Sequence, residues 1–193
     1  MPLSAIKEKY FLSAEERYEQ GDILRDVSLV EWADTQQDEI KIQRRELAYC
    51  VVVSQECDLE HDFNERRKSD SPSNDKHLQS VLICPAYPVQ DFRAGDHLKN
   101  LKMKMQNINS ENWGRIRQNS NPRYHYLDKH ENFQVPELAI DFKHYITVPR
   151  EILYRDDFDR CYLASMEILY RESLSSRFAH YLSRIGLPDF ASP

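Results

Sequence analysis

The sequence predicts a mainly β protein with helical additions, an α+β chain built around a small antiparallel β-barrel. Three observations lead there. Alternating or continuously apolar runs recur between residues 22 and 85, separated by turn residues. Helical periodicity gathers mostly at the two ends of the chain. There are only 4 glycines in 193 residues, and no GxGxxG or GxxxxGK, which disfavours a Gly-rich loop cradling phosphates.

Residues 5–19 have a helical look, with Ser13 as N-cap before Ala14-Glu15-Glu16. Gly21-Asp22 turns the chain into an approximately alternating strand, "ILRDVSLV", at 23–30. "EIKIQRR" (39–45) alternates again, and "LAYCVVVS" (47–54) is apolar throughout, the pattern of a central strand. Residues 60–78 are charged and rich in Ser, Asp and Asn, and read as a loop. "QSVLICP" (79–85) is a further buried strand, stopped by Pro85 and Pro88.

Phe92, Leu98, Leu101, Met105 and Ile108 give 91–108 mainly helical spacing. Strands follow at 123–127, 137–142 and 145–149, with turns at Asn121-Pro122 and 128–136. The last helix runs from Ser165 to Ile185, its stripe formed by Ile168, Leu169, Leu174, Phe178, Tyr181, Leu182 and Ile185. Gly186 and Pro188 stop it. The chain therefore reads as a single domain, 1–193. Residues 20–90 are the barrel core, 91–164 a helix with additional strands, and 165–185 the C-terminal helix.

Composition narrows the function classes. A hydrophobic fraction of 40% and a charged fraction of 30% describe an ordinary soluble globular domain. The net charge of −6 disfavours a dedicated nucleic-acid binder unless a local basic patch opposes it. No stretch approaches the roughly 18 apolar residues of a membrane span, and no signal peptide is apparent. A cytoplasmic location is expected, with no membrane partner. Cys50, Cys57, Cys84 and Cys161 should then be reduced. None forms a CxxC pair, so neither a structural zinc nor any other cofactor is expected.

Three groups of residues could carry chemistry. Cys57, Asp58 and His61 follow the Val-rich strand and could hold part of a metal shell or an activated thiolate. They read equally as a packed cysteine, a turn-capping aspartate and a solvated histidine. "NPRYHYL" (121–127), with Arg115 and Arg117 upstream, interleaves arginine and aromatic side chains. Arg123, Tyr124 and Tyr126 could contact phosphates and stack on unpaired bases, or form a strand with Tyr inward and Arg outward. Asp141, Lys143 and His144 end the next strand, where a local Asp–His hydrogen bond is expected.

"GDIL" (21–24), "RRELAYCVVVSQECD" (44–58) and "VLICPAYP" (81–88) resemble, in that order, segments of the MazF/PemK-like toxin family. The resemblance covers about the first ninety residues. It implies an SH3-like barrel and, in active members, a metal-independent endoribonuclease using an arginine and a threonine. The arginine's place falls near Tyr49 and the threonine's at Ala86-Tyr87-Pro88, so the catalytic positions are not retained. The resemblance then implies a non-catalytic accessory subunit, an adaptor or sensor of a bacterial toxin–antitoxin or anti-phage assembly. Such a subunit would bind a larger protein, with RNA or single-stranded DNA left open as a further ligand and Tyr87 among the binding residues. The alternative is a nuclease with displaced catalytic residues, drawn from Arg45, Cys57, His61 and His125.

Overall fold

The computed structural model describes residues 8–36, 39–68, 75–154 and 161–184. Its centre is one antiparallel sheet that curls into a half-barrel. The strands are β1 (Tyr10–Phe11), β2 (Asp22–Gln36), β3 (Glu39–Val52), β4 (Ser80–Pro88), β5 (Tyr124–Leu127), β6 (Leu138–Asp141), β7 (Ile146–Pro149) and β8 (Tyr162–Met166). Their order is β1-β8-β2-β3-β4-β6-β5, with β7 also on β4.

β4 is the hub. One edge pairs with β3, from Tyr49↔Ala86 to Val52↔Ile83. The other edge is shared, β7 taking Ser80–Ile83 and β6 taking Ala86–Pro88. A 3-10 turn at Phe142–His144 separates β6 from β7, so the chain leaves and rejoins the same edge. Runs of apolar residues suit a strand flanked on both sides, and Val81, Ile83 and Cys84 are wholly buried.

The expected strands 39–45 and 47–54 are one strand. Arg44-Arg45-Glu46 interrupts the apolar pattern, but the backbone ladder continues through Val30↔Arg44, Leu29↔Arg45 and Ser28↔Glu46. Pairing skips Asp26 and Ala48, and Asp26 adopts a left-handed φ of 53°. Around this point Cys50 and Leu47, three apart, enter the same apolar cluster, so strict alternation is broken there. Beyond β8 and β4, the β2–β3 hairpin runs on as a two-stranded ribbon. Val30, Trp32, Ile40 and Ile42 are exposed on it.

The helices cover the sheet on both faces. α1 (Glu56–Arg66) and α4 (Arg150–Leu153) place Leu59 and Leu153 against Leu24, Cys50, Val52 and Ile83. α2 (Val89–Ala94) and α3 (Ser110–Arg117) pack Phe92 and Ile116 on Tyr124, Tyr126 and Ala139. On the opposite face, Leu174 and Phe178 of α5 (Ile168–Leu182) meet Val51, Cys84, Ile140 and Phe142.

The N-terminal region is held by polar contacts. Buried Asp22 accepts hydrogen bonds from Glu19 N at 2.8 Å and Ser165 Oγ at 2.6 Å, joining β2 to β8. Arg17 bonds Glu56 at 2.6 Å and Glu19 at 3.3 Å. The expected helix over 5–19 is absent among the described residues 8–19. Arg17, Tyr18, Glu19 and Gln20 are all buried there, which a helix exposing one face would not allow.

Other expectations are corrected too. Residues 60–66, expected as loop, complete α1. Its inward residues are Leu59 and the carboxylate of Asp62, the latter held by Arg66 and Arg150 at 2.7 Å each. The expected 91–108 helix is only α2 and a 3-10 turn at Lys99–Leu101, because Gly95 takes φ 78° and ends it. Ser165 lies in β8, and Glu167 caps α5. Ile168, Leu169 and Leu182 of the expected stripe are exposed, leaving Leu174 and Phe178 as its buried residues. α3 and β8 were not anticipated. Residues 5–7, 69–74, Ile185, Gly186 and Pro188 lie outside the described residues.

Candidate functional site

A cleft of about 630 Å³ lies between the ribbon end of β3, the last residues of β4, and the turn at 96–101. The β3–β4 pairing ends at Tyr49↔Ala86, and residues from Gln43 to Tyr49 line the space beyond it. Arg44, Arg45, Tyr87, His97 and Lys99 line it, with Glu31, Glu46, Asp91 and Asp96 among the acidic residues. Leu47, Ala48, Pro85, Ala86 and Leu101 give it apolar walls. The cleft is thus of mixed sign. Lys99 is neutralised by Asp96 at 2.7 Å, and Glu46 accepts from Ser28 Oγ at 2.7 Å.

Tyr87 joins this cleft to a polar cluster behind it. Its hydroxyl lies 3.3 Å from His144 Nδ1, which lies 3.4 Å from Asp141 Oδ2. Arg123 grips the same carboxylate with two bonds, Nε to Oδ1 at 2.8 Å and Nη2 to Oδ2 at 2.6 Å. Asp141 is fully buried, and its Oδ1 also caps the 3-10 turn through Lys143 N at 3.0 Å. The His97 ring meets the Tyr87 ring edge-on, with centroids 4.5 Å apart.

Electrostatics follows from this burial. The Tyr87 phenol is pushed up to about 12 by burial, although nearby Arg45 favours its ionised form. Burial pushes His97 down to about 4. Burial also lowers His144, and the Arg123 and Arg45 charges lower it further, while Asp141 opposes them. The hydrogen bond to Asp141 raises Arg123 above its ordinary value. At neutral pH both histidines are therefore uncharged, the phenol keeps its proton and the Arg123–Asp141 pair is locked.

The sequence-derived site residues scatter across the molecule. Arg45 and Tyr87 share the cleft, and Arg123 stands behind it. Tyr124 and Tyr126 are buried against α2 and α3 rather than offered to solvent. Arg115 and Arg117 are exposed on α3, with Arg117 6.0 Å from the centre of the Tyr126 ring. Cys57 and His61 are exposed one turn apart on α1, away from the residues that line the cleft. Cys57 Sγ lies 3.9 Å from Asp58 Oδ1. Among the described residues, no three His, Cys, Asp or Glu side chains gather as a metal site would need. His125 is buried on β5, where strand alternation points it away from Tyr124 and Tyr126.

His97 was missed because nothing marks it in a short polar turn. The Asp141–His144 bond was legible as local chemistry, but Arg123, 18 residues away, required the β5–β6 pairing to bring it there. Among the described residues, no helix is long and apolar enough to cross a membrane. No family model, no curated protein and no solved structure matches the chain.

Proposed function

We propose that the chain is a binding subunit rather than a catalyst, and that the cleft beside β3 receives part of a larger protein partner. One observation carries this reading: burial shifts the tyrosine and histidines at the Tyr87 end of the cleft, and the carboxylate behind them is paired. Tyr87 is up at about 12, His97 down at about 4, His144 lowered, and Asp141 committed to Arg123. General acid–base catalysis works best when the pKa lies near the operating pH. Mixed charge and apolar walls suit a protein segment better than a polyanion, whose capture rests on uncompensated Lys and Arg. The exposed Trp32, Ile40 and Ile42 on the ribbon supply further apolar contact area of the kind protein partners use. The resemblance to the MazF/PemK-like toxins adds the setting, an accessory role in a bacterial toxin–antitoxin or antiviral assembly on an SH3-like barrel.

A second reading, an endoribonuclease with displaced residues, is favoured by one feature. Arg45 lies close enough to Tyr87 to favour the phenolate, and His97 meets that ring edge-on. The experiment that separates them incubates substoichiometric chain with labelled RNA and single-stranded DNA, with and without divalent ions. The expected result is no turnover. Multiple turnovers abolished by Arg45→Ala or His144→Ala would replace the binding reading with the nuclease.

A further inference from the structure

A second pocket, of about 200 Å³, opens between β5, β8 and the start of α5, and Lys9, Arg117, Asn119, His125, Tyr170 and Ser173 are among its lining. At its base is a histidine whose tautomer the structure fixes. Arg177 Nε donates to His125 Nδ1 at 3.2 Å, so Nδ1 is the acceptor and the proton of the neutral ring is on Nε2. The Arg177 guanidinium is itself anchored to the carbonyls of Asn119, Asn121 (2.6 Å) and Tyr124 (2.7 Å), so it cannot turn away. His125 is only 4% exposed, and burial with the Arg177 charge holds it far below the usual imidazole range, at about 3. Its Nε2–H bonds to no group among the described residues, yet it is not sealed in the interior. An N–H that reaches the pocket in this way donates to water or to a bound acceptor.

The surrounding groups say what that acceptor is. The Asn119 amide is oriented by Tyr126, its oxygen accepting from the Tyr126 N–H (2.7 Å) and its NH2 donating to the Tyr126 carbonyl (3.3 Å), which leaves one amide N–H as a further donor. The Asp128 carboxylate is neutralised by Lys9, and the Asp128 carbonyl accepts from Tyr10 Oη at 2.9 Å. The Arg117 guanidinium forms no ion pair among the described residues and flanks the Tyr126 ring. The Ser173 hydroxyl lines the same opening. The pocket therefore offers donors and one uncompensated positive charge. Its volume is below the ~300–1,000 Å³ of sites for drug-sized molecules.

We propose that this pocket binds a phosphate group, with His125 Nε2–H as its buried donor, Arg117 as its cation and Ser173 as a further donor. Guanidinium and neutral N–H or O–H donors together suit a tetrahedral oxyanion, since hydrogen bonds to an ionised oxygen are about twice as strong as neutral ones. The site is distinct from the β3 cleft and does not depend on the partner assigned to it.

The test titrates the full chain with inorganic phosphate at pH 7.5 and fixed ionic strength, with chloride as control and phosphoserine and adenosine monophosphate as parallel ligands. Saturable 1:1 binding is expected, at least 10-fold weaker in Arg117→Ala, whose exposed side chain can be removed with an unchanged melting temperature. In a nitrogen-15 spectrum the His125 Nε2–H resonance should shift with the same saturation curve, a readout that a merely structural histidine would not give. His125→Phe, where it folds, should abolish binding. Tighter binding of a phosphomonoester identifies an ester group as the ligand, equal or tighter inorganic phosphate identifies the free ion, and either supports the site. No saturation by 50 mM phosphate, equal binding by Arg117→Ala, or an unmoved Nε2–H resonance overturns it.

Discussion

Replacing Asp141 with asparagine tests whether the cluster behind the cleft is held by charge. The substitution is nearly isosteric, so it leaves no cavity and changes mainly the ionic character of the site. Asp141 is fully buried, and its two oxygens receive Arg123 Nε and Nη2 at 2.8 and 2.6 Å. Hydrogen bonds to a charged partner contribute ~1.5–3 kcal/mol each. Two offsets reduce the sum: the Arg123 side chain is 29% exposed and can recover water, and an asparagine oxygen still accepts one bond. The expected loss is then about 2–3 kcal/mol. For a domain of this size each kcal/mol is worth ~2–4 °C, so the melting temperature should fall by ~5–10 °C. Urea unfolding of Asp141→Asn, Arg123→Met and the double variant completes the cycle, with a coupling of at least ~1.5 kcal/mol expected. A loss below ~0.5 kcal/mol, or additive single variants, would refute the reasoning. The same variant removes the group that favours His144's proton, so an NMR titration should find His144 lower still.

Three further outcomes follow from the geometry. The Asp22 carboxyl is pushed up to about 7 by burial, with Glu19 and Glu56 adding to the effect and the Glu19 N–H and Ser165 hydroxyl bonds opposing it. The folded state therefore holds this proton more tightly than the unfolded chain, where the pKa is about 3.9. Its contribution is full below about pH 4 and is lost as pH rises through about 7, so between pH 5 and 8 the wild type should lose more urea stability than Asp22→Asn. Parallel pH profiles would contradict this. Leu174→Ala, at a fully buried site on α5, should cost ~2–5 kcal/mol, whereas Leu182→Ala at a half-exposed one should cost under ~0.5. Equal losses in denaturant midpoints would mean that α5 is docked differently. Gly95→Ala places a Cβ 2.2 Å from the Met105 carbonyl oxygen at φ 78°, and should destabilise by at least ~1–3 kcal/mol while displacing the 96–101 wall of the cleft. Hydrogen exchange at 96–105 unchanged from wild type would count against that account.

Legibility in the sequence followed the apolar residues and failed where polar groups set the structure. β4, β5, β6 and β7 were readable because their inward residues are aliphatic or aromatic and their ends carry Pro or Asn. α1 was not, since one of its two buried residues is Asp62, and only the folded chain brings Arg150 across 88 residues to neutralise it. The first twenty residues misled for the same reason. Glu15-Glu16-Arg17 reads as a solvated helical turn, yet Arg17 is spent inside on Glu19 and Glu56. At the candidate site, Arg45 and Tyr87 were visible as residues. They share one cleft because the β3–β4 pairing ends at Tyr49↔Ala86, which no period-two pattern announces.

The β2–β3 hairpin gives the molecule an internal gradient of cohesion. At one end, Ile23 and Val51 pair within a fully buried core. Further along, Ala33 and Ile42 pair with no strand on either outer side among the described residues. A two-stranded ribbon is at best marginally stable in water. The amides near its tip should therefore exchange with solvent by fraying, within a small fraction of the global unfolding free energy, while those near Val51 wait for the whole sheet to open. A single continuous strand would thus report both the weakest and the strongest parts of the fold, and an occupant seated on the ribbon would appear first as slowed exchange at its tip.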